Sequence, residues 1–386
     1  MFFVANLDDI KKGKVTDVYF ERTLEILKKK SIDKWVRAEF IVKRLPDNIP
    51  WAIFSGTEEV SQVVDGLNVK IRSMREGTVI KPYQPVLEIE GMYTEFGVME
   101  TAILGLICQS SGVATKAARC KKAAGNKPVI SFGARRVHPA IAPMVERSAF
   151  IGGCDGVSVV YDAETIGEEP AGTMPHALIL IIGDTVDATL AFDEVIDKKI
   201  KRVALIDTFN DEKVEALRVA DALKEKLYAV RLDTPSTRRG DFLKILEEVR
   251  WELNIRGYGH VKIFVSGGID EKKILQLNQY ADSYGVGTTI TNAKVVDFAM
   301  DIIEIEGKPV AKRGKMSGAK RVLRCMSCCK DKVVPLDQNI DSRCDCGGEY
   351  VDLLNPWYEK GKFLEKARTP QAIRKYVLEQ LKALEI

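Results

Sequence analysis

The sequence lacks several features that would suggest a function at once. Its 386 residues include only three histidines, and 58 lysines and arginines against 55 acidic residues leave a net charge of only +3. A chain so close to neutral is not expected to bind nucleic acid, because polyanion binders usually carry a large basic excess. The longest uninterrupted apolar run, 177–182, is far shorter than the ~20 residues that span a bilayer. Residues 1–9 reach two aspartates without a basic leader, so we expect no secretory signal, no membrane segment and a cytoplasmic location.

The eight cysteines are unevenly distributed, and five of them lie within residues 325–346. A chain of this length can bury several cores without disulfides, and cytoplasmic thiols stay reduced, so the cluster favours a metal site. Two close pairs, Cys-x-x-Cys and Cys-x-Cys, supply four thiolates for a closed, structural zinc site. The predicted ligands are Cys325, Cys328, Cys344 and Cys346, with Cys329 able to replace Cys328. The other three, Cys108, Cys120 and Cys154, are expected to be ordinary buried residues.

The order of apolar runs predicts an α/β fold. From residue 128 onward, short β-rich runs alternate with helical stretches, which is the pattern of βαβ units and a parallel sheet. Six or seven units in about 175 residues favour an irregular, incomplete α/β barrel over 121–298, with its chemistry at the carboxyl ends of the strands. Residues 1–120 are predicted to be a mixed α/β domain that 299–324 completes. Residues 325–386 are predicted to be a small zinc-binding domain with polar helices.

Charged side chains follow the predicted strands at the end where a barrel would place its active site. They are Arg135, Arg136, His138, Asp207, Arg231, Asp233, Arg238 and Arg239. Several arginines at one barrel mouth imply an anionic substrate, because the guanidinium group matches carboxylate and phosphate. A structural ion pair explains any one of these arginines equally well, but the set as a whole favours a substrate site.

Two further loops carry chemistry. Glycines directly follow two late strands, in Ser266-Gly267-Gly268 and Gly287-Thr288, where backbone N–H groups can approach a phosphate. The alternative is that both loops are tight turns, in which glycine is needed only because it adopts a positive φ. The loop that ends in Thr173-Met174-Pro175-His176 could expose a nucleophilic imidazole, although a single histidine is more often structural.

Short motifs spread over roughly residues 14–320 together resemble one enzyme family. They are Thr16-Asp17-Val18-Tyr19, Ser110-Ser111-Gly112-Val113-Ala114-Thr115, Ser131-Phe132-Gly133-Ala134-Arg135-Arg136, Gly172-Thr173-Met174-Pro175-His176, Arg231-Leu232-Asp233 and the two glycine loops. The chain resembles the archaeal-type nicotinate phosphoribosyltransferases, relatives of the quinolinate and nicotinamide phosphoribosyltransferases. The resemblance implies an N-terminal α/β sandwich, an irregular α/β barrel and a homo-oligomer with an active site shared between subunits. It also implies synthesis of nicotinate mononucleotide from nicotinate and phosphoribosyl pyrophosphate, with Mg²⁺ present and ATP hydrolysis coupled through a phosphorylated histidine.

The resemblance also implies roles for single residues. His176 matches the phosphorylated histidine, Phe132 the aromatic residue that stacks on the pyridine ring, and Tyr19 the opposite stacking residue from a second subunit. We predict His176 and Asp233 as catalytic residues. The other predicted substrate contacts are Arg135, Arg136, His138, Asp155, Thr173, Arg231, Arg238 and Arg239. The predicted 5′-phosphate contacts are Ser266, Gly267, Gly268, Gly287 and Thr288.

Alternative functions remain open. Quinolinate phosphoribosyltransferases also decarboxylate their substrate, need more cationic residues and lack the ATP-coupled histidine, so the His176 loop favours nicotinate. Asp155 matches an acid of the nicotinamide-using relatives and keeps nicotinamide as an option. A non-enzymatic module, in which the zinc knuckle and its basic flank 312–324 bind nucleic acid or a partner, is disfavoured by the balanced charge.

Overall fold

The computed structural model describes residues 3–234, 237 and 240–386 and divides the chain into two compact units. The first unit combines Met1–Thr115 with Lys294–Glu385, and the second is Lys116–Ala293. We predicted boundaries at 120 and 298 and a separate domain over 325–386, and the structure differs on these points. The cysteine-bearing segment belongs to the first unit because its strand Asn355–Glu359 pairs with Lys70–Ser73.

Strands and helices alternate through the second unit, whereas much of the first unit consists of consecutive strands. The strands are β1 Trp35–Val42, β2 Ala52–Ile53, β3 Lys70–Ser73, β4 Val79–Ile80, β5 Pro85–Met92, β6 Val129–Ser131, β7 Gly156–Val157, β8 Arg202–Leu205, β9 Leu227–Leu232, β10 Lys262–Val265, β11 Ser283–Val286, β12 Phe298–Ile305, β13 Lys308–Pro309, β14 Lys320–Cys325, β15 Asp331–Pro335, β16 Tyr350–Asp352, β17 Asn355–Glu359 and β18 Lys362–Phe363. The α-helices are α1 Leu7–Lys11, α2 Val18–Lys29, α3 Thr57–Val64, α4 Tyr93–Phe96, α5 Glu100–Ala124, α6 Ala142–Ile151, α7 Val160–Ile166, α8 His176–Ile182, α9 Thr185–Val195, α10 Glu212–Leu223, α11 Phe242–Ile255, α12 Glu271–Leu277, α13 Thr288–Thr291 and α14 Pro370–Leu381. Short 3₁₀ turns lie at Pro46–Asn48, Gly97–Met99, Ala134–Arg136, Pro139–Ile141 and Lys224–Lys226.

The first unit is built on a seven-stranded antiparallel sheet in the order β13-β12-β1-β5-β3-β17-β18. Side chains of a strand alternate between the two faces of a sheet, so Val36, Ala38 and Phe40 of β1 share one face, while Arg37 and Glu39 lie on the other. Helices α3 and α5 contribute to the same apolar cluster, which gives a layer of helix on a sheet. A smaller sheet, β15-β14-β16, carries the cysteine pairs.

The second unit contains a six-stranded sheet in the order β7-β6-β11-β10-β9-β8, in which every neighbouring pair is parallel. The edge strands β7 and β8 do not pair with each other in the described residues, so the sheet is a half-barrel. This confirms the predicted α/β fold with an incomplete parallel barrel. All six strands run in the same direction, and their carboxyl ends therefore lie along one edge.

Helices α4 and α5 and the turn between them form the stretch Tyr93–Ala124, which is long and apolar enough to cross a membrane by length and composition, with a mean hydropathy of 1.3 in its most apolar 18 residues. Half of those 18 residues are buried inside the protein. Burial of this kind is typical of a core helix, so the stretch is weak evidence for a membrane span.

Candidate active site

Arg231, near the carboxyl end of β9, is the most extensively bonded side chain at this edge of the sheet. Its Nε donates to Ser266 Oγ at 3.0 Å, one terminal nitrogen donates to Thr173 Oγ1 at 2.7 Å, and the other donates to Asp233 Oδ2 at 3.2 Å. The Arg231 side chain is 15% exposed, and burial lowers its pKa, although an arginine side chain stays charged in proteins. A single cation thus ties together the loop before α8, the end of β9 and the end of β10.

Two carboxylates and a histidine lie beside this arginine. Asp207 follows β8, and its Oδ2 accepts from the backbone N–H of Asp233 at 2.8 Å. His176 Nε2 lies 3.7 Å from Asp207 Oδ1 and 3.9 Å from Asp233 Oδ2, while its Nδ1 is 3.0 Å from Thr208 Oγ1. Burial raises the pKa of Asp207, and its Oδ1 has no hydrogen-bond partner among the described residues. The group can therefore accept a further hydroxyl or a cation.

Phe132 provides an aromatic surface next to this charged group. Its ring lies 5.7 Å from that of Phe264, and the Arg231 guanidinium lies 5.3 Å from its centroid, within cation–π range. Gly285 makes this position possible, because a Cβ there would come within 2.5 Å of the Phe132 ring. A flat ring bound near Phe132 would therefore lie close to the arginine and the two carboxylates.

The glycine loops border the same edge. Gly267 and Gly268 both have positive φ, +83° and +65°, which side chains other than glycine rarely adopt. Gly287 immediately precedes α13, and a Cβ on Gly133 would lie 2.7 Å from the Gly287 carbonyl oxygen. The loops after β6 and β11 are thus packed against each other.

The structure brings together many of the side chains predicted from the sequence. Direct contacts link Phe132, Thr173, His176, Arg231, Asp233 and Ser266.

The other predicted residues lie outside this linked group. Arg135, Arg136 and His138 are exposed on the loop after Phe132, and Arg135 is close enough to contribute to the lowered pKa of Arg231. His138 Nδ1 accepts from the backbone N–H of Ala140. Tyr19 belongs to the first unit and is 57% exposed. Arg238 and Arg239 lie outside the described residues.

Asp155 does not join this group, although we predicted it as a substrate contact. Its Oδ2 accepts from Lys121 Nζ at 2.8 Å and from the backbone N–H of Val129 at 2.9 Å. Val129 begins β6, and Asp155 precedes β7, so the carboxylate lies at the amino ends of the strands. Its contacts are structural, at the edge opposite the candidate site.

Two acidic residues of the site are absent from the predicted catalytic and substrate-binding residues. Asp207 carries the same signal as Asp233, an acid directly after a strand, and the sequence placed it at the barrel mouth without giving it a role. Glu146 gives no such signal, because it lies inside α6. Its side chain is completely buried, accepts from Ser131 Oγ at 2.6 Å and from the backbone N–H of Ser158 at 3.0 Å, and so joins the carboxyl ends of β6 and β7. Burial raises the pKa of Glu146 to about 7.

We expect Glu146→Gln to raise the free energy of unfolding at about pH 8 and to change it little at about pH 4. The pKa of Glu146 is about 7 in the folded protein and about 4.3 in an unfolded chain, so the protonated form favours folding below the lower value. That contribution is lost as the pH rises through 7, and the neutral amide removes at most about 4 kcal/mol of the resulting penalty. Denaturant unfolding at both pH values measures it, with Glu164→Gln on the exposed face of α7 as the control. An equal increase in the free energy of unfolding at the two pH values would contradict this account.

Comparison with known proteins places the chain among phosphoribosyl transferases. The model of the quinolinate phosphoribosyl transferase N-terminal domain matches residues 17–111, and that of the C-terminal domain matches residues 113–301. A solved nicotinate-nucleotide pyrophosphorylase from Pyrococcus furiosus is 55% identical, with a TM-score of 0.98, over 100% of this chain and 99% of that one.

More distant relatives share the fold or part of the sequence. The human nicotinic acid phosphoribosyltransferase structure has a TM-score of 0.76 at 18% identity, over 96% of this chain and 94% of that one, and shows the fold alone. A nicotinate phosphoribosyltransferase of Mycobacterium tuberculosis is 28% identical, over 81% of this chain and 78% of that protein.

Proposed function

The chain belongs to the quinolinate phosphoribosyl transferase family, and from this we propose that it is a nicotinate-nucleotide pyrophosphorylase acting on quinolinate. In the synthetic direction it would transfer phosphoribosyl from phosphoribosyl pyrophosphate to the quinolinate ring nitrogen. Pyrophosphate and CO₂ leave, and nicotinate mononucleotide remains. The observation that carries the proposal is the bonded group of Arg231, Asp233 and Asp207 beside the ring of Phe132.

This proposal replaces the ATP-coupled synthesis of nicotinate mononucleotide directly from nicotinate, which the sequence favoured and which is wrong on the comparisons. Both matching family models describe quinolinate phosphoribosyl transferase, and the relative with 55% identity over the whole chain is a nicotinate-nucleotide pyrophosphorylase. The earlier expectation depended on the loop that carries His176. In the structure this imidazole faces two carboxylates at 3.7 and 3.9 Å, and their negative charge opposes the addition of a phosphoryl group.

The reaction breaks the bond between the anomeric carbon and pyrophosphate, and the ring nitrogen forms the new bond. Asp207 and Asp233 would stabilise the positive charge that develops on the sugar, and Arg231 the negative charge of the substrate's acidic groups. Stacking on Phe132 would hold the nitrogen in line with the anomeric carbon. When CO₂ leaves, the bonding electrons remain on the ring carbon, which then takes a proton. The exposed Arg135 and Arg136 supply charge for the second carboxylate that distinguishes quinolinate from nicotinate.

We also propose that Mg²⁺ accompanies phosphoribosyl pyrophosphate. The residues fit such an ion, because Asp207 Oδ1 is a buried oxygen without a partner among the described residues and Mg²⁺ prefers carboxylate and phosphate oxygens. Asp207 and Asp233 would hold it, and it would supply charge neutralisation for the departing pyrophosphate. We further propose a cytoplasmic homo-oligomer in which the exposed Tyr19 reaches the site of a neighbouring subunit.

The proposed substrate is tested by offering quinolinate, nicotinate and nicotinamide separately, each with phosphoribosyl pyrophosphate and Mg²⁺, with and without ATP. We expect nicotinate mononucleotide and one CO₂ per turnover from quinolinate, with no effect of ATP. Product is separated by chromatography, and carboxyl-labelled quinolinate reports CO₂. Turnover of nicotinate that requires ATP, without any product from quinolinate, would contradict the proposal.

A zinc ion is proposed at the cysteine cluster. The sulfur atoms of Cys325, Cys328, Cys344 and Cys346 all lie within 4.8 Å of one another. Two of their separations are 3.4 and 3.6 Å, close to the ~3.8 Å edge of a tetrahedron with Zn–S bonds of about 2.3 Å. Backbone N–H groups support thiolates here, since that of Cys346 lowers the pKa of Cys344 to about 6. Cys329 is not part of the cluster, so Cys328 is the ligand that this geometry favours.

A further inference from the structure

The first unit contains a cavity of about 510 Å³, which neither the proposed reaction nor the zinc site uses. Its walls come from α3, the segment after β3, the β17–β18 hairpin and the chain that leads into α14. Small-molecule sites usually measure about 300–1,000 Å³ and combine an apolar, aromatic lining with a few polar groups. The lining of this cavity has both components.

The apolar part of the wall is aromatic. Trp357 and Phe363 pack edge to face, with ring centroids 5.3 Å apart and an interplanar angle of 62°. A backbone hydrogen bond from Leu364 to the Trp357 carbonyl, 2.9 Å long, fixes the hairpin that carries both rings. Met74 and Ile373 lie buried in the wall, at 1% and 2% exposure. These residues form a rigid surface on which a flat ring can stack.

The polar part of the wall holds cations without partners. Arg75, Lys366 and Arg368 are exposed, and none of their charged side-chain groups forms a hydrogen bond or ion pair with another described residue. Three carboxylates also line the cavity, but two of them are already engaged. Glu76 Oε1 accepts from Ser55 Oγ at 3.1 Å and from the Gly56 N–H at 2.8 Å, and Glu58 has a partner of its own. The three cations therefore remain available to an anion.

Helix geometry adds to this charge. Helices α3 and α14 both begin at the cavity, with Thr57 and with the residues that precede Pro370. The amino end of a helix carries a partial positive charge, which favours an anion nearby. The cations, the helix ends and the aromatic rings thus select the same kind of ligand, a planar ring that bears a negative group.

We propose that this cavity binds a mononucleotide-sized ligand, with its planar base stacked on Trp357 and Phe363 and its phosphate held by Arg75 and Arg368. The cavity is lined by residues of the first unit, whereas the Arg231 group belongs to the second unit. It does not depend on the proposed reaction, because binding can be measured whether or not the chain turns over quinolinate.

Titration of the full chain with adenosine monophosphate tests the site, followed by tryptophan fluorescence and by calorimetry. Of the four tryptophans only Trp357 lines the cavity, so we expect quenching that Trp357→Phe abolishes while the calorimetric Kd changes by less than about three-fold. Charge reversal by Arg75→Glu or Arg368→Glu should each raise Kd by about ten-fold or more, since a charge-assisted contact becomes a repulsion. Adenosine, which lacks the phosphate, and pyrophosphate, which lacks the ring, should each bind at least about ten-fold more weakly than the nucleotide.

The matched control is Lys382→Glu, an exposed change of the same charge just beyond α14, which should leave Kd within about two-fold. The charge-reversal variants should keep the wild-type rate of phosphoribosyl transfer, which separates this cavity from the active site. Three results would each overturn the proposal. They are quenching that persists in Trp357→Phe, a Kd that neither charge reversal changes, and no binding of the nucleotide to the wild-type chain at millimolar concentration.

Discussion

Replacing Arg231 with alanine is expected to lower kcat/KM for phosphoribosyl transfer by about a thousand-fold. The substitution removes a buried cation that donates to Ser266, Thr173 and Asp233, and it removes the charge that faces the ring of Phe132. Loss of one well-placed donor in a preorganised site typically costs about 10²–10³ in rate, and this guanidinium supplies several donors. The measurement is steady-state kinetics. Quinolinate is varied at saturating phosphoribosyl pyrophosphate, and phosphoribosyl pyrophosphate is then varied at saturating quinolinate.

Arg231→Lys separates charge from geometry. It keeps the positive charge but not the planar fork, so we expect about a hundred-fold loss instead of a thousand-fold one. Arg256→Ala, at an exposed arginine that pairs with Glu252 in the same unit, should stay within about two-fold of wild type. If Arg231→Ala remains folded and keeps its rate within ten-fold, the group around Arg231 is not the catalytic centre.

Much of this site could be predicted from the sequence because parallel strands simplify the geometry. An acid or arginine that ends one βαβ strand must lie at the same edge as those that end the others. Arg231, Asp233 and Ser266 could therefore be grouped before the order of the strands was known. Phe132 follows by the same rule from β6 and Asp207 from β8, although no role in catalysis or substrate binding was predicted for Asp207.

The sequence could not resolve features that depend on a single residue of register or on distant pairing. Asp155 stands directly before β7, which is only two residues long, and a carboxylate before a strand lies at the opposite edge from one after it. Glu146 could not be found by looking for charged residues at the ends of strands, because it lies inside a helix and contacts the ends of β6 and β7 from there. The tail looked like a separate domain because nothing local shows that β17 pairs with β3, almost three hundred residues earlier.

Removing zinc is expected to destabilise the first unit and to lower Tm by about 10 °C. The cluster joins the end of β14 to the loop before β16, and β14 is itself fixed to the rest of that unit, since Arg324 donates to the Val79 carbonyl at 2.8 Å. Structural zinc sites supply folding free energy directly, so loss of the ion should release the segment around 325–350. Chelation and Cys344→Ser should have the same effect, measured by calorimetric unfolding, limited proteolysis and metal content per chain.

The neighbouring Cys329→Ser is the informative control for that experiment. Cys329 follows a ligand directly but is not in the cluster, and its φ of +57° turns the backbone there. A thiol with no role in binding can be replaced by a hydroxyl at little cost at this partly exposed position, so Cys329→Ser should keep one zinc per chain and the wild-type Tm. If Cys329→Ser loses zinc while Cys328→Ser retains it, then Cys329 is the ligand and Cys328 is not. Metal-replete protein with less than about a tenth of a zinc ion per chain would remove the site altogether, because a closed tetrathiolate site binds its ion too tightly to stay empty.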